Sequence, residues 1–128
     1  MPVRDIAVVI PHYQQTTGLL SRAVKSAFSQ TRSDRLLVIV CDDGSPSPAR
    51  SELDTLVEVP RDQLLIVERV NGGAGAARNT AIEAIPEGFK FVAFLDSDDA
   101  WRPRHIEYAL AAMDAGYDAY FANFIGVG

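Results

Sequence analysis

Aspartates are concentrated in two short segments of this 128-residue chain, and each segment comes directly after an apolar run. Asp42 and Asp43 follow one of these runs, and Asp96, Asp98 and Asp99 follow another. Carboxylates gathered at one place repel one another unless a positive charge neutralises them. Mg²⁺ and Mn²⁺ prefer carboxylate oxygens, and substrate phosphates commonly complete their coordination. The sequence therefore predicts a divalent-cation site, with Asp96 and Asp98 aimed at one ion.

The acidic residues also have interpretations that need no ligand. Aspartates commonly cap helices, so Asp98 or Asp99 could instead cap the turn before a helix that Pro103 opens. An EF-hand is excluded, because Ala100 stands at a ligand position of that loop and Trp101 stands where it requires glycine. Calcium storage is therefore rejected, and the two other interpretations stay open.

A glycine-rich segment, residues 71–75, follows a third apolar run and precedes a helical pattern. Glycines at the beginning of a helix let a phosphate approach the backbone N–H groups. Arg78 lies one helical turn further on and could donate charge-assisted hydrogen bonds to the same anion. An ordinary turn, with Arg78 paired to an aspartate, is the alternative. The segment predicts a phosphate or diphosphate site.

The apolar periodicity predicts the elements that position these segments. Four largely non-alternating runs predict strands covered on both faces, at residues 6–10, 36–41, 64–67 and 91–95. Helical patterns separate and follow them. They predict a helix over 19–30, a helix opened by Ser47-Pro48 with Leu53, Leu56 and Val57 on its apolar face, a helix over 74–85, and a helix that Pro103 opens and that ends just before Gly116. A last apolar run, 119–125, predicts a fifth strand. This β-α order predicts an α/β fold with a mostly parallel sheet and helices on both faces, where ligands bind beyond the carboxyl ends of the strands.

Length and composition indicate one ordinary globular domain, residues 1–128. The chain is 48% apolar, and 12 Lys+Arg against 17 Asp+Glu give a net charge of −5, which argues against nucleic acid as a partner. Apolar runs of about six residues fall far short of the roughly 20 that span a membrane, so no transmembrane segment is expected. The single cysteine, Cys41, predicts a buried thiol in a reducing compartment. A cytoplasmic location follows, with peripheral membrane attachment left open.

In this order and at this spacing, the segments resemble the inverting family 2 glycosyltransferases, which have the GT-A nucleotide-sugar-binding fold. The resemblance covers essentially the whole chain. It rests on five motifs: 8–11 with Tyr13, Ser29-Gln30-Thr31, Asp42-Asp43-Gly44-Ser45, Asn71-Gly72-Gly73 with Ala77-Arg78-Asn79, and 94–99 followed by Trp101 and Pro103.

The resemblance implies site residues, a donor and a cofactor. The implied nucleotide-sugar site consists of Pro11, Tyr13, Asp42, Asp43, Arg78, Asp96 and Asp98. Asp43, with Asp42 as second candidate, would bind the uracil imide of a UDP-sugar. Asp98 would be the direct ligand of Mn²⁺ or Mg²⁺, and Asp96 would contact the ribose or the metal.

The family's reaction is transfer of the sugar to an acceptor hydroxyl with inversion. The family places its catalytic base beyond the position of Gly128, so no catalytic residue is assigned. We therefore expect a truncated GT-A (Rossmann-like) domain, the N-terminal part of a longer glycosyltransferase. Its acceptor, a glycan, lipid or protein, is not identified by the sequence.

Three other functions are alternatives. Gly73, Gly75 and Asp96 imitate the dinucleotide fingerprint of an NAD-dependent dehydrogenase, but Arg78 stands where a third small residue belongs. The spacing of Asp96 and Asp98 suits an aspartyl-phosphate phosphatase, although Ala100 replaces the Thr or Val expected there. The third is a non-catalytic nucleotide-sugar-binding module, which needs no base.

Overall fold

The structure, a computed structural model, describes residues 3–116. Four parallel strands form one sheet in the order β3-β2-β1-β4: β1 (Ile6–His12), β2 (Leu36–Asp42), β3 (Leu64–Glu68) and β4 (Phe91–Phe94). The helices between and after them are α1 (Leu19–Phe28), α2 (Ala49–Leu53), α3 (Ala74–Glu83) and α4 (His105–Asp114). The predicted α/β fold with a parallel sheet is confirmed. The predicted fifth strand, 119–125, lies outside the described residues.

The central strand β1 explains why its apolar run does not alternate with polar residues. Val8 and Ile10 pack into a core shared with α1 and α2, whereas Ala7 and Val9 pack on the other face with Ala77 of α3. All four β1 residues are fully buried. A parallel strand covered on both faces is apolar at every position.

The edge strand β4 departs from the predicted coverage on both faces. Val92 and Phe94 are 44% and 51% exposed. They lie opposite Ala7 and Val9, on the face of the sheet where α3 packs mainly against β1 and β2. Within residues 3–116 this strand is therefore not covered on both faces as predicted, because α3 packs over β1 and β2.

The helices are shorter than the apolar periodicity predicted. The helix predicted over 19–30 ends at Phe28, and the one predicted over 74–85 ends at Glu83. The helix α2 ends at Leu53, so Leu56 is buried from the following turn while Val57 is 92% exposed. Placing Val57 on the apolar face was wrong, because the helical period no longer applies after Leu53. No helix within residues 3–116 has the length and apolar composition needed to cross a membrane.

A buried ion pair joins the beginnings of three strands. Arg35 donates from Nε and Nη2 to the two carboxylate oxygens of Asp5, at 2.9 and 2.7 Å. The backbone carbonyl of Asp5 accepts from the N–H groups of Lys90 and Phe91. The hydrogen bond from Arg35 holds the pKa of Asp5 below its ordinary value of 3.8. Asp5, just before β1, thus ties the beginnings of β2 and β4 to that strand.

The variant Asp5→Asn tests this ion pair. It should reduce the free energy of unfolding at pH 7 by about 1–3 kcal/mol, since it removes charged hydrogen bonds from a buried site. Because folding lowers the pKa of Asp5, its stabilisation is present above the unfolded pKa and is lost as the pH falls through the folded pKa. The difference between wild type and variant in urea unfolding should therefore shrink as the pH is lowered below about 4.

The control is Asp62→Asn, which breaks the more exposed ion pair with Arg4. It should change the free energy of unfolding much less than Asp5→Asn does. An Asp5→Asn deficit that stays constant from pH 7 to pH 2 would show that the ionised carboxylate is not responsible.

Candidate functional site

A cavity of about 220 Å³ opens where the strands β1, β2 and β4 end. This is the edge at which parallel sheets bind ligands. Its lining residues are Pro11, His12, Tyr13, Gln14, Asp43, Ala74, Ala77, Arg78, Asp96, Ser97 and Asp98. The sheet thus brings together every residue of the implied site except Asp42.

The carboxylate of Asp42 is used inside its own loop. It is buried, and it accepts hydrogen bonds from the backbone N–H groups of Ser45 and Ala49, both at 2.8 Å. These bonds fix the loop between β2 and α2. Of the two candidates Asp42 and Asp43, the geometry places only Asp43 at the cavity.

The glycine-rich segment is built around the carboxylate of Asp43, which is 2% exposed. Its Oδ1 accepts from the N–H of Gly72 and its Oδ2 from the N–H of Gly73, both at 2.9 Å. Asn71 Nδ2 lies 3.2 Å from Oδ2, and Arg69 Nε lies 3.3 Å from Oδ1. The carboxylate thus accepts three hydrogen bonds, from Gly72, Gly73 and Asn71, and it forms an ion pair with Arg69.

This arrangement corrects the predicted phosphate site. The N–H groups of Gly72 and Gly73 are directed at Asp43, so they are not available to a phosphate in the cavity. Gly73 has φ 98° and ψ 165°, a conformation that essentially requires glycine, and α3 begins at the next residue. Ala74 and Ala77 of α3 line the cavity instead. The glycines therefore serve the turn and the carboxylate.

Three carboxylates form a cluster at the other end of the cavity. Oxygens of Asp96, Asp98 and Asp99 lie within 4.8 Å of one another. Burial raises the pKa of Asp99, and the charges of Asp98 and Asp96 raise it further. An octahedral Mg²⁺ has oxygen ligands at about 2.1 Å, so neighbouring ligands lie about 3 Å apart and opposite ones about 4 Å apart. The three oxygens have the chemistry of ligands for a hard divalent cation and would move closer together to bind one. The capping alternative fails at α4, which has no side-chain cap.

Two arginines from different helices contact the acidic cluster. Arg78 of α3 pairs with Asp96, with Nη2 3.1 Å from Oδ1. Arg22 of α1 donates from Nη2 to the backbone carbonyl of Asp98 at 2.7 Å, and its charge opposes the rise in the Asp99 pKa. The sequence analysis assigned nothing to Arg22. No local pattern signals it, because 76 residues separate it from Asp98.

The end of α1 holds the segment that follows the acidic cluster. The Gln30 side chain donates to the carbonyl of Arg102 at 2.7 Å and accepts from the N–H of Ile106 at 3.0 Å. Ser26 Oγ accepts from the N–H of Trp101 at 3.0 Å. These contacts give the motif at Ser29-Gln30-Thr31 a structural purpose, which is to fix the loop between the cluster and α4.

The loop after β1 contributes one anchored and one exposed ring. His12 is fully buried, with Nε2 2.7 Å from the carbonyl of Ser47, as expected for a structural imidazole. Tyr13 is 48% exposed at the cavity, so it is not used for core packing. Gln14 Nε2 donates to Ser97 Oγ at 3.1 Å and links this loop to the one after β4.

A second, larger cavity of about 390 Å³ lies between the beginning of α1 and the loop into α2. Hydroxyl-bearing side chains dominate its lining, and its carboxylate, Glu52, accepts from the N–H and the hydroxyl of Ser21. Neither an arginine nor a lysine lines it. We place the functional site at the smaller cavity, which combines an acidic cluster, a guanidinium and an exposed aromatic ring.

Comparisons with known proteins agree on one family. The family model described as Glycosyl transferase family 2 matches residues 7–128. The Rhizobium meliloti succinoglycan biosynthesis protein ExoW is 44% identical over 124 residues, covering 94% of this chain. The Escherichia coli protein WfgD, named as a UDP-Glc:alpha-D-GlcNAc-diphosphoundecaprenol beta-1,3-glucosyltransferase, is 33% identical over 108 residues, covering 84% of this chain. The chain spans 38% of the length of ExoW and 40% of WfgD.

Solved structures agree with the fold. S. aureus TarS superposes with a TM-score of 0.72 at 25% identity, over 87% of this chain and 20% of TarS. TarS 1–349 in complex with UDP gives a TM-score of 0.71 at 25% identity, over 87% of this chain and 32% of that one. The four-stranded sheet with its helices therefore has the architecture of the GT-A fold.

The turn at Gly73 gives a matched pair of variants. Gly73→Ala should reduce the free energy of unfolding by about 1–3 kcal/mol, because alanine is strained at this φ and ψ. Gly75→Ala should cause no loss, since a Cβ there meets nothing within 4 Å and alanine favours the helix by about 1 kcal/mol. Urea unfolding of both variants measures the contrast. Equal stabilities would contradict the strained conformation of Gly73.

Proposed function

The chain belongs to glycosyltransferase family 2, and from that premise we propose that it binds a nucleotide-diphosphate sugar, specifically a UDP-sugar, in the cavity beyond β1, β2 and β4. One observation carries the proposal: Asp43, Arg78 and the pair Asp96 and Asp98 come from separate segments of the chain and line the same cavity. The cavity thus offers the Asp43 carboxylate to a nucleobase, the Arg78 guanidinium to a diphosphate, and Asp96 and Asp98 as ligands to a metal ion. An NAD-dependent dehydrogenase would leave Asp98 without a purpose.

At the nucleobase end, Tyr13 and Asp43 would make the specific contacts. The exposed ring of Tyr13 can stack on a base above Pro11. An imide N–H donating to Asp43 would replace the Asn71 amide, which makes the longer of the two hydrogen bonds to Oδ2 and belongs to an exposed residue. The backbone donors Gly72 and Gly73 would stay in place and keep the carboxylate oriented.

At the diphosphate end, Asp98 would be the direct ligand of Mn²⁺ or Mg²⁺, with Asp96 contacting the ribose or the same ion. When bound, the ion would act as a Lewis acid on the diphosphate. Arg78 would exchange Asp96 for a phosphate oxygen and stabilise negative charge on the departing group. Asp99, the most buried of the three, would remain beside the ion as a further acceptor.

We propose that the full enzyme transfers the sugar to an acceptor hydroxyl with inversion. The anomeric carbon gains oxocarbenium character as the nucleoside diphosphate departs, and the acceptor attacks from the opposite face. A general base must remove the acceptor proton. The lining carboxylates Asp43, Asp96 and Asp98 already have roles toward the donor, so the base belongs to another part of the enzyme. Residues 1–128 would form its donor-binding domain, and a glycan, lipid or protein would supply the hydroxyl.

Calorimetric titration with UDP tests donor binding. UDP should bind in the presence of Mn²⁺ and much more weakly with EDTA, because the acidic cluster cannot hold a diphosphate without a cation. Asp98→Ala should weaken the Mn²⁺-dependent binding at least about tenfold, since it removes the direct ligand. Asp54→Ala, an exposed carboxylate outside the cavity lining, is the control and should bind as wild type does. UDP affinity that is the same with and without metal would reject the metal-dependent site.

The stereochemistry of slow donor hydrolysis tests inversion. With water as acceptor, UDP-α-glucose should release β-glucose first, because water attacks the face opposite the departing nucleotide. Proton NMR can follow the anomeric signals before mutarotation equilibrates them. Initial release of α-glucose would contradict an inverting reaction, and Asp98→Ala, measured in parallel, should abolish the release of either anomer.

A further inference from the structure

We propose that Arg69 is a positioning residue for the nucleobase end of the nucleotide-sugar site. Arg69 follows the last residue of β3, and its backbone N–H donates to the carbonyl of Asp42 at 2.9 Å. It does not line the cavity. Its influence on a ligand must therefore pass through the residues that it holds. The inference rests on the function proposed above.

The guanidinium of Arg69 connects the end of β2 to the first turns of α3. Its Nε lies 3.3 Å from Asp43 Oδ1 and donates to the carbonyl of Val70. Its Nη1 donates to the carbonyl of Ala76 at 3.1 Å and to Thr80 Oγ1 at 2.8 Å. One planar, permanently charged group thus fixes Asp43 relative to the helix that carries the cavity's guanidinium.

The glycine-rich segment leaves room for this guanidinium. A Cβ at Gly72 would lie 2.6 Å from Arg69 Nη2. The end of a long side chain can usually move away from such a contact, but this one is held at Asp43, Ala76 and Thr80. Gly72 therefore both donates its N–H to Asp43 and admits the arginine that pairs with the same carboxylate. From the sequence, the segment containing Gly72 was predicted to bind a phosphate, and no role was predicted for Arg69.

Arg69 also supplies the positive charge beside the buried carboxylate of Asp43. The three hydrogen-bond donors to that carboxylate, Gly72, Gly73 and Asn71, are uncharged. If an imide displaces Asn71, the ion pair with Arg69 and the two backbone hydrogen bonds are what keep the carboxylate oriented. Loss of Arg69 should therefore weaken recognition of the base and leave recognition of the diphosphate intact.

The experiment uses calorimetry to compare the binding of two probes, UDP and inorganic pyrophosphate, each titrated into the protein in the presence of Mn²⁺. Arg69→Ala should raise the Kd for UDP about tenfold or more, because the ion-pair partner that positions Asp43 relative to α3 is lost. The Kd for pyrophosphate should stay within about twofold, because the acidic cluster and Arg78 are unchanged. A general loss of structure would weaken both probes together.

A conservative variant and a control variant separate the charge of Arg69 from its hydrogen bonds to α3. Arg69→Lys keeps a charge near Asp43 but cannot also reach both Ala76 and Thr80, so its Kd for UDP should lie between those of wild type and Arg69→Ala. Arg50→Ala, which breaks the exposed ion pair with Glu68, should leave both affinities unchanged.

Three other results would overturn the inference. Unchanged UDP affinity in Arg69→Ala would show that Asp43 does not depend on this arginine. An equal loss of UDP and pyrophosphate would show a purely structural role. Wild type that fails to bind UDP would reject the proposed function and this inference with it. If Arg69→Ala does not fold, Arg69→Lys decides: selective weakening of UDP supports the inference, and unchanged UDP affinity overturns it.

Discussion

Negative charge gathered at one edge of a parallel sheet has to be neutralised, and the geometry of this edge follows from how each carboxylate is balanced. Asp42 is balanced by backbone N–H groups of its own loop, and Asp43 by the glycine segment with Arg69. Asp96 has Arg78 beside it. Burial and the charges of Asp98 and Asp96 raise the pKa of Asp99, and the charge of Arg22 opposes this only in part. At this edge of the sheet, an added cation would consequently be stabilised most by the cluster of Asp96, Asp98 and Asp99.

The sequence predicted the strands well because two of them are buried on both faces. The continuous apolar runs 6–10 in β1 and 36–41 in β2 locate those strands to within two residues. Whether a helix covers the edge strand β4 could not be predicted from the sequence, since it depends on where tertiary packing places α3. The end of α2 was missed for a similar reason, because local periodicity continues through Val57 although the helix does not.

The site was predictable by residue type and position after each strand, but not by contact. Aspartates and an arginine beyond strand ends are visible in the sequence, and all of them except Asp42 and Asp99 line the cavity. The contacts of Arg22, Gln30 and Arg69 could not be predicted, because their partners come from other elements of the fold. Such residues show no local pattern, since tertiary packing alone makes them neighbours.

The choice between Asp42 and Asp43 follows from the pleat of β2. Side chains of a strand alternate between its faces. Val40 lies in the core with α1 and α2, so Asp42, two residues further on, lies on that face and binds the N–H of Ala49. Cys41 packs on the α3 face, so Asp43, two residues further on, lies on that face and accepts from the N–H of Gly72. The same alternation divides the whole edge: one face secures the loops, and the α3 face presents the groups that a donor would contact.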